Sequence, residues 1–348
     1  MRRLALGERE IGEGCPCLVV AELGVNHQGD PEIALRLIDV AAAMGAGAVK
    51  LQRRDIDAIL TRQAQDAPYR NDRSFGRTYG DHRRALELPD EAWPLLKARA
   101  DAKGLLFFAT PYDPGSAEFL GDLGVPCVKI ASCDVTNPPL LEAAATLGVP
   151  VLLSTGMATE EEIDRAVRLV WRQTQDLVLM HCVSAYPAEN GDLNLRYMLK
   201  LAKRYAAIPG YSGHERGLAT SVAAVVLGAA VVERHVTLDR SMRGPDHSAS
   251  LEPEGLRRLV RDIRNVEAAL VSHPKRILPG ERLVRDRLAK SLVTAHPLEA
   301  GQVLERSMLT VKGPGTGLSP WALGDLLGRR VTRAVPGDVL LAEEMLAP

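Results

Sequence analysis

The chain has 348 residues, 46% of them hydrophobic and 25% charged, with a formal net charge of −1. Such a chain is long enough for one large globular domain and a small one. The balanced charge gives no global reason to expect binding to nucleic acid or an anionic membrane surface, and no apolar run is long enough to span a bilayer.

The first ten residues carry Arg2, Arg3, Glu8, Arg9 and Glu10 and lack the apolar stretch of a signal peptide, so the expected location is cytoplasmic. Five cysteines (Cys15, Cys17, Cys127, Cys133, Cys182) without CxxC spacing read as reduced, mostly buried thiols. From there, eight short β-like runs follow in order: Leu18–Leu23, Ala48–Gln52, Leu105–Ala109, Cys127–Ala131, Val151–Ser154, Leu177–Cys182, Ala207–Tyr211 and Ala230–His235. Helical stretches with readable starts lie between most of them. Asp30-Pro31-Glu32 places an N-cap before a proline at the first helical position, and Thr159-Glu160-Glu161-Glu162 reads as a capping box. Eight βα units in this length favour a closed (β/α)₈ TIM barrel and leave a doubly wound sheet possible.

After the second run come about 35 residues before the next helix, far longer than an ordinary βα loop. This stretch carries Arg70, Arg73, Arg77, Arg83 and Arg84 together with Tyr69 and Tyr79, the composition expected of an active-site cover. Beyond the helix expected at Pro253–Val271, the turn-rich 276–287 reads as a linker between a barrel domain (1–275) and a small β-rich domain (288–348) that holds Lys312-Gly313-Pro314-Gly315.

In a barrel of this kind the reactive groups stand where strands end. The polar residues at those places are Glu22, then Asn26 and His27; Lys50 and Gln52; Thr110; Lys129, Ser132 and Asp134; and Ser154 with Thr155 and Gly156. The later runs add His181, Ser184 and Tyr186, then Ser212 and His214, then Glu233 and His235. A core strand has no structural use for lysine, glutamate or histidine, because burying them unpaired is costly. Two lysines with a file of serine and threonine hydroxyls suit a ligand carrying a phosphate and a carboxylate. His214 and His235 end successive runs and, beside Glu233 and Asp246, suggest a divalent metal with open coordination positions. Glu22, at the end of an apolar strand, suits proton transfer or substrate orientation, or is the ion-pair partner of Lys50 or Lys129.

Six of these stretches, in order, resemble the sialic acid synthase family: Ala21-Glu22-Leu23-Gly24-Val25-Asn26-His27, Val128-Lys129-Ile130-Ala131-Ser132, Leu153-Ser154-Thr155-Gly156, His181-Cys182-Val183-Ser184-Ala185-Tyr186, Gly210-Tyr211-Ser212-Gly213-His214 and Glu233-Arg234-His235. The C-terminal segment is similar to the antifreeze-like (SAF) domain that completes those enzymes. The resemblance implies condensation of phosphoenolpyruvate with N-acetylmannosamine or its 6-phosphate by C–O cleavage, in a dimer whose small domains each cover the partner's site. By position it implies phosphoenolpyruvate on Lys50, Lys129, Ser132, Ser154, Ser184 and Ser212, and Mn²⁺ (or Mg²⁺ or Co²⁺) on His214 and His235. Catalysis is then expected of Glu22 with the two histidines. Gln52, Thr110, Asp134, Tyr186 and Asp246 are expected to face the sugar.

Three positions depart from the bacterial free-sugar enzymes: Asp134 in place of Glu, Gly213 in place of Asp, and Gly313 in place of Arg. The animal branch, which uses the 6-phosphorylated sugar, shares the first two and lacks that Arg. Its 68–82 and 246–253 stretches are also similar, so the phosphosugar is favoured, with Arg70, Arg73 and Arg77 expected to close over its phosphate. Mannose 6-phosphate, a legionaminic or pseudaminic acid precursor, and a Schiff-base aldolase using Lys129 are the alternatives.

Overall fold

The computed structural model describes residues 2–348, which divide into two compact units that meet in the chain between Val271 and Ser272. The first opens on an antiparallel hairpin, β1 (Arg3–Leu6) and β2 (Arg9–Gly12). Eight parallel strands follow: β3 (Leu18–Gly24), β4 (Ala48–Arg53), β5 (Leu106–Pro111), β6 (Val128–Ile130), β7 (Val151–Ser154), β8 (Leu177–Cys182), β9 (Ile208–Gly213) and β10 (Val231–His235). They close in sequence order, β10 pairing with β3, so the fold is the expected TIM-type barrel rather than an open sheet. The strand interiors are buried on both faces, as parallel strands wrapped by helices must be.

The surrounding helices bury one stripe each. Pro31–Ala43 turns Ala34, Leu37, Ile38 and Ala41 inward, the i, i+3, i+4, i+7 spacing of an amphipathic helix. Asp30 caps it by accepting from the Glu32 amide at 2.8 Å. Thr159 and Glu162 form the reciprocal capping box of the helix Glu160–Val170. The hairpin β1–β2 was not expected from the sequence. Its turn residue Gly7 lies beside Leu106 and Pro126, at the strand-start end of the barrel, so the hairpin closes the face opposite the strand ends.

The long stretch after β4 is more ordered than a loop reading implies. It contains the short helices Ile56–Ile59, Arg62–Asp66 and Tyr79–Arg84, capped by Asp55, Thr61 and Thr78. A bridge between Pro68 and Thr78 pinches off its tip, and Tyr69 lies 4.6 Å from His82, ring centroid to ring centroid. The tip is tied to the segment after β10: Arg73 Nη1 donates to Ser248 Oγ at 3.2 Å, and Arg243 donates to the Ser74 carbonyl. These connections rise from β4 and β10, which flank β3, so the barrel order itself brings them together.

In the second unit, β11 (Ser291–Thr294) pairs antiparallel with β12 (Leu309–Lys312) over a core that includes Leu292, Leu298, Leu304 and Val331. The stretch 276–287, read from sequence as turns, instead contains most of a helix, Pro279–Leu288. Proline at its first position and Glu281 bonded back to the Leu278 amide at 2.7 Å start it. No helix among the described residues is long and apolar enough to cross a membrane.

Candidate active site

The strand ends deliver polar side chains into one cavity of about 150 Å³. The ladder register sets the neighbours: His235 stands opposite Glu22, Glu22 opposite Lys50, Gln52 opposite Thr110, and Ser212 opposite Glu233. Period-two alternation puts Lys50 and Gln52 on one face of β4, and Glu233 and His235 on one face of β10. Glu22, Lys50, Gln52, Thr110, Lys129, Ser132, Ser154, Ser184, Tyr186, Ser212, His214 and His235 all line the cavity. A larger cleft of about 1510 Å³ lies at the strand-start end, lined mainly by small and aliphatic residues. Reactive groups gather at the smaller one, as barrel chemistry requires.

Four buried charges form the floor. Lys129 Nζ donates to both oxygens of Glu233, at 3.1 and 3.3 Å, and Ser212 Oγ donates to the same carboxylate at 3.2 Å. Lys50 Nζ stands 2.8 Å from Glu22 Oε2 and 3.7 Å from Glu233 Oε1, and donates to Thr110 Oγ1 at 2.7 Å. Gln52 Nε2 holds the other Glu22 oxygen at 2.6 Å. The Glu22 Oε2 contact has ion-pair distance without hydrogen-bond alignment, which leaves that oxygen without a hydrogen-bonded partner. Burial opposes charge on Lys50, but Glu22 and Glu233 outweigh it and hold the ammonium above the ordinary lysine range. Burial likewise opposes ionisation of Glu233, and there Lys129 and Lys50 win, holding the carboxyl well below its usual range. Sequence set Glu233 beside the two histidines in support of a metal; the fold makes it the common counter-ion of both lysines.

Next to Lys129, where β6, β7 and β8 end, hydroxyls surround Gly156. Its amide donates to Ser132 Oγ at 3.0 Å, and Ser154 Oγ is buried without a partner. A Cβ at Gly156 would stand 2.4 Å from Ser184 Oγ and 2.9 Å from Ser132 Oγ. The concavity between those hydroxyls therefore exists only with glycine at this position.

The two imidazoles face each other with ring centroids 5.5 Å apart, and Tyr186 lies 4.1 Å from the His214 ring. His214 Nδ1 lies 3.0 Å from the Val183 carbonyl. A carbonyl only accepts, so Nδ1 carries the proton and Nε2 keeps a free lone pair. His235 Nδ1 is buried without a hydrogen bond, 3.6 Å from Asp246 Oδ2. Gly24, at φ +53°, permits this crowding: a Cβ there would come within 3.3 Å of His235, Asp246 and Glu22 together. Two converging imidazoles, one with its tautomer fixed and one with an orphaned nitrogen, fit a divalent ion that keeps open positions.

Other expected positions fall elsewhere. Asp134 is outside the lining: its carboxylate accepts from Asn137 Nδ2 at 2.9 Å, and burial raises its pKa. Asp246 touches the site through His235. Arg70, Arg73 and Arg77 are exposed on the cover segment and do not reach the cavity wall. Asn26 serves structure, donating to the Val236 carbonyl and Ser250 Oγ, both at 2.9 Å. His181 is bound to the Leu193 carbonyl at 2.6 Å. Burial, reinforced by Arg54, pushes the His27 pKa down to about 3 and keeps that ring neutral. Tyr112, Cys133 and Cys182 line the cavity and were not foreseen. Gly213 also has a local cause, because a Cβ would stand 2.5 Å from Oε2 of Glu215, a carboxylate whose other oxygen, Oε1, accepts from Arg234 Nη1 at 3.0 Å. That buried pair braces the residues adjoining both histidines.

Buried lysine–glutamate pairs, a hydroxyl cradle and paired imidazoles at the strand ends of a closed barrel define an enzyme that acts on a small anionic substrate. Residues 37–275 match the NeuB family and 289–347 the SAF domain, and the chain belongs to the NeuB family. It is 41% identical to N-acetylneuraminate-9-phosphate synthase of Homo sapiens, over 97% of this chain and 95% of that one. To N,N'-diacetyllegionaminic acid synthase of Legionella pneumophila it is 36% identical, over 98% of both chains. The crystal structure of N-acetylneuraminic acid (sialic acid) synthetase from Leptospira borgpetersenii, in complex with citrate, aligns with a TM-score of 0.71 at 35% identity, covering 81% of this chain and 95% of that one.

Proposed function

We propose that this chain condenses phosphoenolpyruvate with the open-chain aldehyde of N-acetylmannosamine 6-phosphate, giving N-acetylneuraminate 9-phosphate and inorganic phosphate. The observation that carries this reading is the shared cavity in which Lys50, Lys129 and the Gly156 cradle face the His214–His235 pair. Its volume, about 150 Å³, is well below the roughly 300–1,000 Å³ of sites that enclose a whole drug-sized ligand. The small charged reactant fits within, and the sugar lies across the rim near Gln52, Met157 and Tyr186. The phosphosugar is supported by the 41% identity to a synthase named for a 9-phosphate product.

In this reading Lys50 and Lys129 neutralise the phosphate and carboxylate of phosphoenolpyruvate, and Ser132, Ser154, Ser184 and Ser212 orient them. His214 and His235 would hold a divalent ion, Mn²⁺ or a similar one, which would supply Lewis-acid chemistry towards the acceptor aldehyde. The C3 carbon of phosphoenolpyruvate attacks the aldehyde carbon, and the positive charge left at C2 is met by water. Glu22, with Oε2 free of a hydrogen bond, takes the proton from that water. Phosphate leaves with the bridging oxygen as the C2 hydroxyl gives up its proton, giving the 2-keto acid, and the former aldehyde oxygen takes up a proton to become a hydroxyl. The contacts from Lys129 to both Glu233 oxygens favour a counter-ion over the free amine that Schiff-base chemistry needs. The assembly belonging to this proposal is a homodimer in which each small domain covers the partner's site.

Phosphoenolpyruvate carrying ¹⁸O at the bridging position tests the proposal against N-acetylmannosamine, its 6-phosphate, mannose 6-phosphate and the legionaminic and pseudaminic precursors. The label is expected in released phosphate, with the highest kcat/KM for N-acetylmannosamine 6-phosphate. Label kept in the keto acid defeats the bond assignment; a better rate with another acceptor defeats the sugar assignment. Filling the cradle with Gly156→Ala should raise KM for phosphoenolpyruvate about tenfold or more, since two hydroxyl contacts contribute roughly 0.5–1.5 kcal/mol each. An unchanged KM in steady-state assays would place the phosphate elsewhere.

A further inference from the structure

The five arginines of the cover segment are alike in sequence and unlike in the folded chain. Arg70, Arg73 and Arg77 are exposed, and Arg84 is engaged by Asp57 at 2.7 Å and Gln65 at 2.5 Å. Arg83, on the helix Tyr79–Arg84, is half-buried, and its Nε is shielded from solvent without a hydrogen-bond partner. The nearby carboxylate Glu87 is bound to Arg54 Nε at 2.7 Å instead. Arg83 makes no ion pair of its own among the described residues, so its positive charge stands in a partly desolvated place, where it is costly unless a ligand completes it.

The position of that charge matters more than its presence. Arg83 and Glu87 share one turn, the Leu86 amide donating to the Arg83 carbonyl at 3.1 Å; Glu87 holds Arg54 at 2.7 Å, and Arg54 lies 5.0 Å from the ring of Tyr112, so the Arg83 turn borders the Tyr112 side of the cavity. In keeping with that, burial pushes up the Tyr112 hydroxyl and the Cys133 thiol, and Arg83 acts on both in the opposite direction. Tyr112 follows β5 and Cys133 follows β6, and both line the cavity. In the closed order β10-β3-β4-β5-β6-β7-β8-β9, those strands stand across the barrel from β9 and β10, which carry His214 and His235. A sugar whose C1 aldehyde meets the imidazoles therefore extends its C6 end towards Arg83.

We propose that Arg83 recognises an anionic substituent, a phosphate monoester, at the far end of the sugar, and so sets the choice between phosphorylated and free acceptor. The inference rests on the phosphosugar reading above and names the residue responsible for it. Arg54, stacked 5.0 Å from the Tyr112 ring centroid and neutralised by Glu87, supports the Tyr112 side of this subsite.

Phosphate release at saturating phosphoenolpyruvate decides it, with N-acetylmannosamine and its 6-phosphate compared in the unmodified enzyme and in R83M, R83K and R77M. R83M is expected to lower the ratio of the two kcat/KM values by about 10²-fold, through KM for the phosphosugar, as two lost charge-assisted hydrogen bonds would. R83K keeps the charge and loses the planar fork, so a fall of about tenfold is expected. R77M should move the ratio less than either. An unmodified enzyme indifferent to the phosphate overturns the phosphosugar reading and this inference together. A preference that survives in both Arg83 variants, or that falls more in R77M, overturns this inference alone. If R83M fails a thermal-melting check, R83K decides by the same ratio.

Discussion

Stripped of divalent metal, the protein should release no phosphate from phosphoenolpyruvate and sugar, and Mn²⁺ should restore the reaction. A bound ion contributes several kcal/mol to stabilising charge in the transition state, so a loss of about 10³-fold or more is expected at 1.4 kcal/mol per decade. The ligand set predicts how the variants behave. His214 presents Nε2 because the Val183 carbonyl fixes its Nδ1 proton, and His235 keeps an orphaned Nδ1 near Asp246. With so few protein ligands, either H214A or H235A should abolish Mn²⁺ binding in isothermal titration as well as restoration of turnover. Titration separates a lost ligand from a misplaced substrate. Full turnover of chelator-treated protein, with no metal found by elemental analysis, would remove the ion from the proposed mechanism.

The barrel was legible because its chemistry interrupts its pattern. Strands buried on both faces read as apolar runs, so Glu22, Lys50, Lys129 and Glu233 stand out where those runs end. All eight barrel strands lie within two residues of the positions expected from sequence. What was missed had weaker local signals. The hairpin β1–β2 has only four residues per strand, and its alternation rests on Leu4, Leu6 and Ile11 among charges. The helices after β4 span four to six residues, too short for helical periodicity, although their caps Asp55, Thr61 and Thr78 were there to be read.

Within the site, register decides what sequence leaves open. Asp134 and Ser132 are two residues apart at one strand end, yet the 3₁₀ turn Ser132–Asp134 sends the serine to the cavity and the aspartate to Asn137. Nothing in the local sequence separates Arg83 from Arg77, because burial of the cover segment depends on contacts such as Arg73 with Ser248, 175 positions away. Position within an element was readable, and so was the Glu22–Lys50 pair; the partners of Glu233 and of the cover-segment arginines were not.

That distinction gives K129M its double effect. Lys129 is the only cation that donates hydrogen bonds to Glu233 among the described residues, since Lys50 stands 3.7 Å away and is turned to Glu22 and Thr110. Methionine has similar length and no charge, so it removes the proposed phosphoenolpyruvate anchor and leaves a buried carboxylate poorly compensated. Breaking a buried pair from one side costs roughly 3–5 kcal/mol, which should appear as a lower thermal midpoint. Activity should fall by about 10³-fold or more, because an anionic substrate then meets Glu233 nearly unscreened. The two effects can be separated. Neutralising the orphan in the double variant K129M/E233Q should recover most of the lost thermal stability, since a neutral amide is far cheaper to bury than a carboxylate. It should leave phosphate release near the single variant's level, because the anchoring charge is still missing. Recovery of turnover along with stability would mean that Lys129 serves only to neutralise Glu233, and phosphoenolpyruvate would then have to be held by Lys50 and the serine cradle.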